Sequence, residues 1–195
     1  MEILDNIHIL TSELMKVDTK IASKFDPVRK ERLLRNNNPN GKKEIYTSGV
    51  LIEKIRPENA VINYNSKGKP YFTDENGITC KPYFNITHSN DKVICIYSDC
   101  YILGVDYESS ERVMKPETAR RLCTPKEHKV FMSFEDRTMA GQWLLKLFTQ
   151  KEAYSKLLGA GMSIEFTELE TDELSQSMTT LETEDGFLSI AYKKA

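Results

Sequence analysis

A long helical segment dominates the second half of the sequence. The residue pattern predicts a helix from about Asp136 to Leu158 that Gly159 and Gly161 end, since glycine readily adopts the left-handed conformation that closes a helix. A helix of this length needs a buried face. Short segments with strand patterns occur in both halves of the chain, which residue 100 divides almost equally.

One lysine of this helix lies where an apolar side chain is expected. On a helical wheel Lys151 falls near the centre of an apolar stripe, whereas Glu152 and Lys156 share one flank. A glutamate four residues before a lysine stabilises an exposed helix by about 0.2–0.5 kcal/mol, so an ordinary surface pair explains the flank. Lys151 must extend to water, pair with an acid or face a cavity that holds an anion. The stripe consists of Leu144, Leu147, Phe148, Tyr154 and Leu158.

Two carboxylates lie near the end of a predicted strand. Asp106 and Glu108 are two residues apart and therefore point to the same face. Their mutual repulsion raises both pKa values unless a positive charge such as Mg²⁺ lies between them. A solvated strand end is the better explanation of these two residues alone. If the strand faces the long helix, Glu152 completes a three-carboxylate metal site, with Lys151 and Lys156 available for phosphates.

Two further segments carry groups that commonly bind phosphate. Lys69 lies in the turn "SKGKP", and Thr87 and His88 lie where the strand "FNITHS" ends. Each is weak evidence by itself, because a turn lysine is usually solvated and a single histidine is usually structural.

The segment from Lys24 to Lys43 is strongly basic. It contains seven basic and two acidic residues, a net charge of 7 − 2 = +5. Asp26 and Pro27 predict the start of a helix that places Arg29 and Arg32 within one turn of each other. Such a segment can bind a phosphorylated ligand or an acidic partner, although a solvated helix face is more common.

Other elements are predicted less distinctly. The pattern places a loop over residues 36–41, a second helix over residues 45–55 and a hairpin at Asp99-Cys100, which joins "KVICIYS" to "YILGVDYE". Two more strands, "SMTTLET" and "FLSIAYKK", are expected in the tail.

Composition favours a soluble globular protein. Hydrophobic residues make up 39% of the chain and charged residues 29%. We expect a cytoplasmic location, because no secretion signal or membrane span is evident. The four cysteines form no C-x-x-C pair, which argues against a zinc site or a redox dithiol.

Four motifs in order, "GKP", "FNITHS", "LGVDYE" and "FTQKEAYSKLLGAG", resemble the 4′-phosphopantetheinyl transferase family, specifically its Sfp-like branch. The resemblance covers roughly residues 67–161. It implies an α+β fold of two similar subdomains related by a pseudo-twofold, residues 1–100 and 101–195, with the site at their interface. It also implies a monomer, since the shorter branch of the family assembles separate chains.

The resemblance implies transfer of phosphopantetheine from coenzyme A, the substrate, to a serine of an acyl or peptidyl carrier protein. Adenosine 3′,5′-bisphosphate is released, and Mg²⁺ or Mn²⁺ is the cofactor. The carrier is typically acidic; neither a nucleic acid nor a membrane is an expected partner.

Site residues are implied by position in the motifs. Asp106, Glu108 and Glu152 resemble the metal ligands, and Glu152 also resembles the base that takes the serine proton. Lys156 resembles the catalytic residue that binds the reacting phosphate and stabilises the leaving group. The expected coenzyme A contacts are Arg29, Arg32, Lys69, Thr87, His88, Asp106, Lys151 and Lys156, with His88 at the 3′-phosphate. Lys151 has the least defined role and can instead pair with a carboxylate.

The sequence departs from the family where another arginine is expected at the nucleotide. Glu44 occupies that region, with Lys42 and Lys43 beside it. Two alternatives remain open at this point: a metal-dependent phosphohydrolase that uses the same carboxylates, and a non-enzymatic module that binds a nucleotide or nucleic acid through the basic segment. The lack of aromatic residues between the basic ones argues against the latter.

Overall fold

The structure is a computed structural model, and it describes residues 5–195. The chain divides into two compact units. The N-terminal unit extends to Ile102 and includes Lys194–Ala195, and the C-terminal unit comprises Leu103–Lys193. Both units mix helices and strands, which confirms the predicted α+β class. The first four residues of the predicted N-terminal subdomain lie outside the described part.

The N-terminal unit combines short strands with one long helix. β5 is the central strand of a three-stranded antiparallel sheet with the order β1-β5-β4, and β2 pairs with β3 in a separate antiparallel ribbon. Its elements are β1 (His8–Glu13), α1 (Thr19–Ala22), α2 (Pro27–Arg35), α3 (Pro39–Ile55), β2 (Val61–Tyr64), β3 (Pro70–Thr73), β4 (Tyr83–Ser89) and β5 (Lys92–Ser98).

The core of this unit forms where α3 packs on the strands. Leu51 and Ile52 of α3 are almost fully buried against Phe72, Phe84 and Val93. This arrangement fixes the direction of α3 relative to the end of β4, where Thr87 and His88 lie.

Helix α2 begins as predicted, whereas α3 begins earlier than predicted. The side chain of Asp26 accepts the N–H of Arg29, which caps α2. The side chain of Asn38 likewise accepts the N–H groups of Asn40 and Gly41, so the helix starts at Pro39 rather than at residue 45. The predicted loop over residues 36–41 is thus wrong in its second half, because an asparagine cap followed by proline starts a helix.

The C-terminal unit packs helices beside a second three-stranded sheet. The strand order is β6-β8-β7. Short 3₁₀ turns at Pro116–Thr118, Gly161–Ser163, Phe166–Glu168 and Thr171–Ser177 connect the larger elements. These are β6 (Tyr101–Ser109, which begins in the N-terminal unit), α4 (Ala119–Leu122), α5 (Pro125–Ser133), α6 (Arg137–Leu158), β7 (Met178–Thr183) and β8 (Gly186–Lys194).

The predicted hairpin at Asp99-Cys100 is wrong. β5 pairs with β1 on one edge and with β4 on the other, so no edge is left for β6. β6 instead hydrogen-bonds to β8, far along the chain. Asp-Cys lacks the glycine that favours a two-residue hairpin turn, and the chain passes from one sheet to another at this point.

The long helix α6 has nearly the predicted limits. Asp136 caps its N-terminus by accepting the N–H groups of Thr138 and Met139, and Gly159 ends it at a φ of 66°. The predicted apolar stripe is only partly correct, because Leu158 is 49% exposed whereas Ala153, Ser155 and other small residues are buried. The helix is covered on more than one side, so burial does not follow a single stripe.

A glycine allows β6 and α6 to approach each other very closely. A Cβ atom at Gly104 would lie 2.1 Å from the carbonyl oxygen of Ala153 and 2.2 Å from the nitrogen of Leu157. Both are backbone atoms of α6 and cannot move aside. Because Asp106 and Glu108 share the strand face of Gly104, their side chains are directed to the α6 side of β6.

No helix among the described residues has both the length and the apolar character needed to cross a membrane.

The contact at Gly104 predicts a large loss of stability on replacement. We expect Gly104→Ala to lower the free energy of unfolding by about 1–3 kcal/mol or more, because the added methyl group forces strand and helix apart. Urea denaturation measures this change. Gly141→Ala is the matched control in α6, since its added Cβ atom would lie 4.0 Å from the carbonyl oxygen of Met114. The control should be as stable as the wild type or more so, because alanine favours a helix. Equal stability of Gly104→Ala and the wild type would contradict the close contact.

Candidate functional site

The predicted catalytic lysine and one predicted metal ligand form an ion pair in the C-terminal unit. Nζ of Lys156 lies 2.6 Å from Oδ1 of Asp106. The Asp106 residue is only 5% exposed, whereas the Lys156 side chain is 30% exposed. The pair joins β6 to α6 and leaves part of the Lys156 side chain exposed. An accessible cation beside a buried carboxylate is well suited to bind an anionic group.

The second predicted metal ligand on β6 also has a cationic partner. Glu108 forms an ion pair with Arg112, which follows four residues later. The guanidinium carbon of Arg112 lies 4.6 Å from the centre of the Phe148 ring, so a cation–π contact holds it over α6. Arg112 was not predicted as a site residue, and its sequence context gives no signal beyond its distance from Glu108.

Glu152 lies within the electric field of both carboxylates of β6. Burial is the main cause that raises the pKa of Glu152 above its ordinary value, and the negative charges of Asp106 and Glu108 raise it further. Lys156 and Arg112 partly offset this effect. The three predicted carboxylates and the two cations therefore form one electrostatic cluster.

The composition of this cluster fits a hard divalent cation. Carboxylate oxygens are the ligands that Mg²⁺ and Mn²⁺ prefer, and the negative charges of Asp106 and Glu108 add to burial in raising the pKa of Glu152. As arranged, the described residues contain no group of three or more His, Cys, Asp or Glu side chains close enough to hold a metal ion. Lys156 and Arg112 instead provide the positive charge beside Asp106 and Glu108.

Lys151 lies away from the cluster and is a structural residue here. Its side chain is fully buried, and Nζ donates to the carbonyl oxygens of Leu122 (2.8 Å) and Phe166 (2.7 Å) and to Oε2 of Glu127 (2.5 Å). An ammonium group has three hydrogens, and these three acceptors use them all. We therefore do not propose Lys151 as a coenzyme A contact. It pairs with a carboxylate, that of Glu127, which was the alternative role considered for it.

Glu127 was missed by sequence analysis. It lies 24 residues before Lys151 and also belongs to a capping box with Thr124 at the start of α5. That local pattern fully accounts for a glutamate at this position, so nothing in the sequence indicates its distant lysine partner.

The predicted arginines of the N-terminal unit differ in environment. Arg29 is 7% exposed, and its guanidinium group lies 3.6 Å from Oδ2 of Asp26 and 3.4 Å from the carbonyl oxygen of Ile45. Arg32 is exposed and lies over the ring of Tyr64, with 4.8 Å between its guanidinium carbon and the ring centre. Arg32 is thus better placed than Arg29 to reach a ligand.

The turn that carries Lys69 lies beside Arg32. A Cβ atom at Gly68 would lie 3.2 Å from a terminal nitrogen of Arg32. The turn is fixed by Asn65, whose side chain accepts the N–H groups of Lys67 and Lys69 at 2.9 Å each. Arg32 therefore lies against the turn that carries Lys69.

The end of β4 carries the other predicted phosphate contacts. Thr87 is buried, whereas the side chain of His88 is 50% exposed. Nδ1 of His88 lies 3.6 Å from Oε2 of Glu44, the residue that departs from the family pattern. Because Arg29 contacts Ile45 and His88 contacts Glu44, both predicted residues meet the same turn of α3.

A cavity of about 440 Å³ lies elsewhere in the C-terminal unit. Trp143, Leu147 and Gln150 of α6 line it together with residues of α5 and β7. None of the predicted site residues lines this cavity, so its size does not make it the reaction site.

The electrostatic cluster predicts a stability gain when Glu152 loses its charge. The folded-state pKa of Glu152 is raised, so the native state binds its proton more tightly than the unfolded state. Stability from this group is therefore present at acid pH and is lost as the pH rises through the raised pKa. Glu152→Gln should raise the free energy of unfolding at neutral pH, measured by urea denaturation with a chelator present. The gain should shrink at acid pH.

The exposed variant Glu184→Gln serves as the control for this measurement. A Glu152→Gln protein that is less stable than the wild type at neutral pH would show that the carboxylate is held by favourable contacts instead.

Comparison with known proteins points to one family for this region. Residues 102–195, which include the whole carboxylate cluster, match the model of the 4′-phosphopantetheinyl transferase superfamily.

A curated relative has a related name. The chain is 27% identical over 171 residues to the L-aminoadipate-semialdehyde dehydrogenase-phosphopantetheinyl transferase of Rattus norvegicus. The match covers 79% of this chain and 54% of the relative, so the chain spans about half the length of the curated protein. The part of the chain that carries Asp106, Glu108, Glu152 and Lys156 is therefore similar to the 4′-phosphopantetheinyl transferase superfamily.

Proposed function

We propose that the chain is a 4′-phosphopantetheinyl transferase. It transfers the phosphopantetheine group of coenzyme A to a serine hydroxyl of an apo carrier protein and releases adenosine 3′,5′-bisphosphate. The observation that carries this proposal is the Asp106–Lys156 pair beside Glu152, within the region that matches the superfamily model. From the resemblance of the four motifs we further propose that the chain belongs to the Sfp-like branch and is a monomer of two subdomains related by a pseudo-twofold. We also propose a cytoplasmic location.

Glu152 is the proposed base. A serine hydroxyl is a poor nucleophile at neutral pH, and a base is most effective when its pKa lies near the working pH. Burial and the neighbouring carboxylates shift the pKa of Glu152 in that direction. As the serine oxygen forms a bond to the β-phosphorus, the bond from that phosphorus to the bisphosphate oxygen breaks, and the serine proton passes to Glu152.

Lys156 is the proposed electrostatic catalyst. Its ammonium group is held by Asp106 but remains 30% exposed, so it can also bind a phosphate oxygen. Negative charge that develops on the leaving bisphosphate is stabilised most by a cation that is already in place. Asp106 positions this cation.

Asp106, Glu108 and Glu152 are also the proposed ligands of Mg²⁺ or Mn²⁺. When bound, the ion would neutralise charge on the pyrophosphate of coenzyme A. For the nucleotide we propose Arg32, Lys69 and His88 as accessible contacts, with Arg29 and Thr87 supporting them from buried positions. The basic segment at residues 24–43 is suited to an acidic carrier protein.

The transfer reaction tests the proposed function directly. The protein is incubated with coenzyme A, Mg²⁺ and several apo-carrier proteins, and mass spectrometry detects the added phosphopantetheine. We expect Asp106→Ala and Glu152→Ala to abolish transfer, because each removes a ligand and a charge from the cluster. Circular dichroism checks that both variants fold.

Three outcomes would contradict the proposal. Consumption of coenzyme A without a carrier would favour a phosphohydrolase. Wild-type rates in either variant would exclude the assigned site. If the wild type shows no transfer and ligand binding survives Glu152→Ala, a binding module would be favoured.

The contact between Glu44 and His88 predicts a gain of affinity. If His88 binds the 3′-phosphate, the carboxylate of Glu44, which lies 3.6 Å from Nδ1 of His88, places a negative charge close to that phosphate. Removing that charge should tighten binding by about 5-fold, the effect of about 1 kcal/mol for one charge pair in water. Glu44→Gln should therefore lower the Kd of coenzyme A in calorimetry and leave that of 3′-dephospho-coenzyme A unchanged.

The exposed Glu58→Gln variant is the matched control for Glu44→Gln. Equal changes for the two ligands, or weaker binding of coenzyme A, would contradict the placement of the 3′-phosphate at His88.

A further inference from the structure

Lys151 anchors α6 through groups that do not belong to the carboxylate cluster. Its buried ammonium group binds the end of α4 through the carbonyl of Leu122, α5 through Glu127 and the following 3₁₀ turn through the carbonyl of Phe166. Three separate segments are thus joined to one point on α6. A lysine with three fixed acceptors has a single position, whereas an apolar residue there would allow the helix to rotate or slide.

The partner of Lys151 is equally constrained. Oε2 of Glu127 also accepts the N–H of Thr124 at 2.9 Å. Oε1 accepts the N–H of Thr171 at 3.1 Å and its hydroxyl group at 2.9 Å. Burial alone would raise the pKa of Glu127. The hydrogen bonds outweigh this effect, most of all the one from Lys151, and hold the pKa below its ordinary value. The carboxylate is therefore charged and completely bound by protein groups.

Net stability alone does not account for such a pair. Transfer of two charges into the interior costs much of what their attraction returns, and well-packed apolar residues often stabilise a protein as well or better. What a buried pair of this kind supplies is a defined geometry.

The residue after Lys151 is Glu152. Successive residues of an α-helix are separated by about 100° around the axis, so fixing Lys151 also fixes the direction of Glu152. Gly104 of β6 lies against the backbone of Ala153, the residue after Glu152, and of Leu157, about one turn further on. Glu152 is therefore held between an ion pair on one side of the helix and a backbone contact on another.

We propose that the Glu127–Lys151 ion pair is a positioning device that directs Glu152 toward Asp106 and Glu108. Glu127 and Lys151 are positioning residues, since neither touches the reacting groups. This inference rests on the proposed function in so far as Glu152 takes part in catalysis. It requires that loss of the pair misplace Glu152 even in a protein that remains folded.

The double variant Glu127→Gln with Lys151→Met tests this proposal. It removes both charges together, so no unpaired charge stays buried, and glutamine keeps the capping interaction with Thr124. We expect the double variant to remain folded but to melt below the wild type, because methionine gives the carbonyl oxygens of Leu122 and Phe166 no donor. The kcat should fall by about 100-fold, the effect of a small misplacement of a reacting group, with the KM for coenzyme A within about twofold. The Mn²⁺ affinity, measured by electron paramagnetic resonance, should fall as well.

Controls separate positioning from general damage. Lys146→Met changes a partly exposed lysine of the same helix and should leave kcat and Mn²⁺ affinity unchanged. Thr171→Val removes a single hydrogen bond to Glu127 and tests the network if the double variant does not fold. It should lower kcat by a few-fold while the protein remains folded.

The outcomes are distinct. A folded double variant with wild-type kcat and Mn²⁺ affinity would overturn the proposal. If the double variant does not fold, a wild-type kcat in Thr171→Val would overturn it. If the wild type itself shows no transfer, the proposed function fails. The Mn²⁺ measurement then still decides whether the pair positions Glu152.

Discussion

The close contact between β6 and α6 at Gly104 is the constraint on which the C-terminal unit depends. A side chain at this position would collide with backbone atoms of Ala153 and Leu157, so only glycine allows strand and helix to approach this closely. The separation is small enough for Lys156 of the helix to reach Asp106 of the strand. It also brings Glu152 into the field of both strand carboxylates. The close approach of β6 and α6 that Gly104 allows therefore also brings Asp106, Glu108, Glu152 and Lys156 together.

The cluster concentrates like charge at a cost to stability. Three carboxylates share a partly buried region, and the pKa of Glu152 is raised first by its own burial and then by the charges of Asp106 and Glu108. Lys156 and Arg112 reduce the excess negative charge without removing it. Local rules of folding are commonly broken where a site needs an unusual arrangement, and stability is recovered elsewhere. The proposed transferase function gives this concentration of charge a reason.

Features that local patterns determine could be predicted from the sequence. The limits of α6 follow from a capping aspartate and a left-handed glycine, and the predicted tail strands were confirmed as β7 and β8. Lys151 was recognised as anomalous because it interrupts an apolar stripe. Its partner Glu127 could not be found, since the capping box at Thr124 already explains a glutamate there. The hairpin at Asp99-Cys100 was wrong because strand partners that lie far apart in the chain decide pairing, and these leave no local trace.

The most direct test of the proposed site is the position of a bound ion. Crystals of the protein grown with Mn²⁺ and coenzyme A would show the ion by its anomalous scattering. We predict one strong peak in contact with carboxylate oxygens of Asp106, Glu108 and Glu152, with Lys156 within hydrogen-bond distance of a phosphate oxygen. A peak at other residues, or a bound coenzyme A whose pyrophosphate lies away from Lys156, would contradict the proposed site.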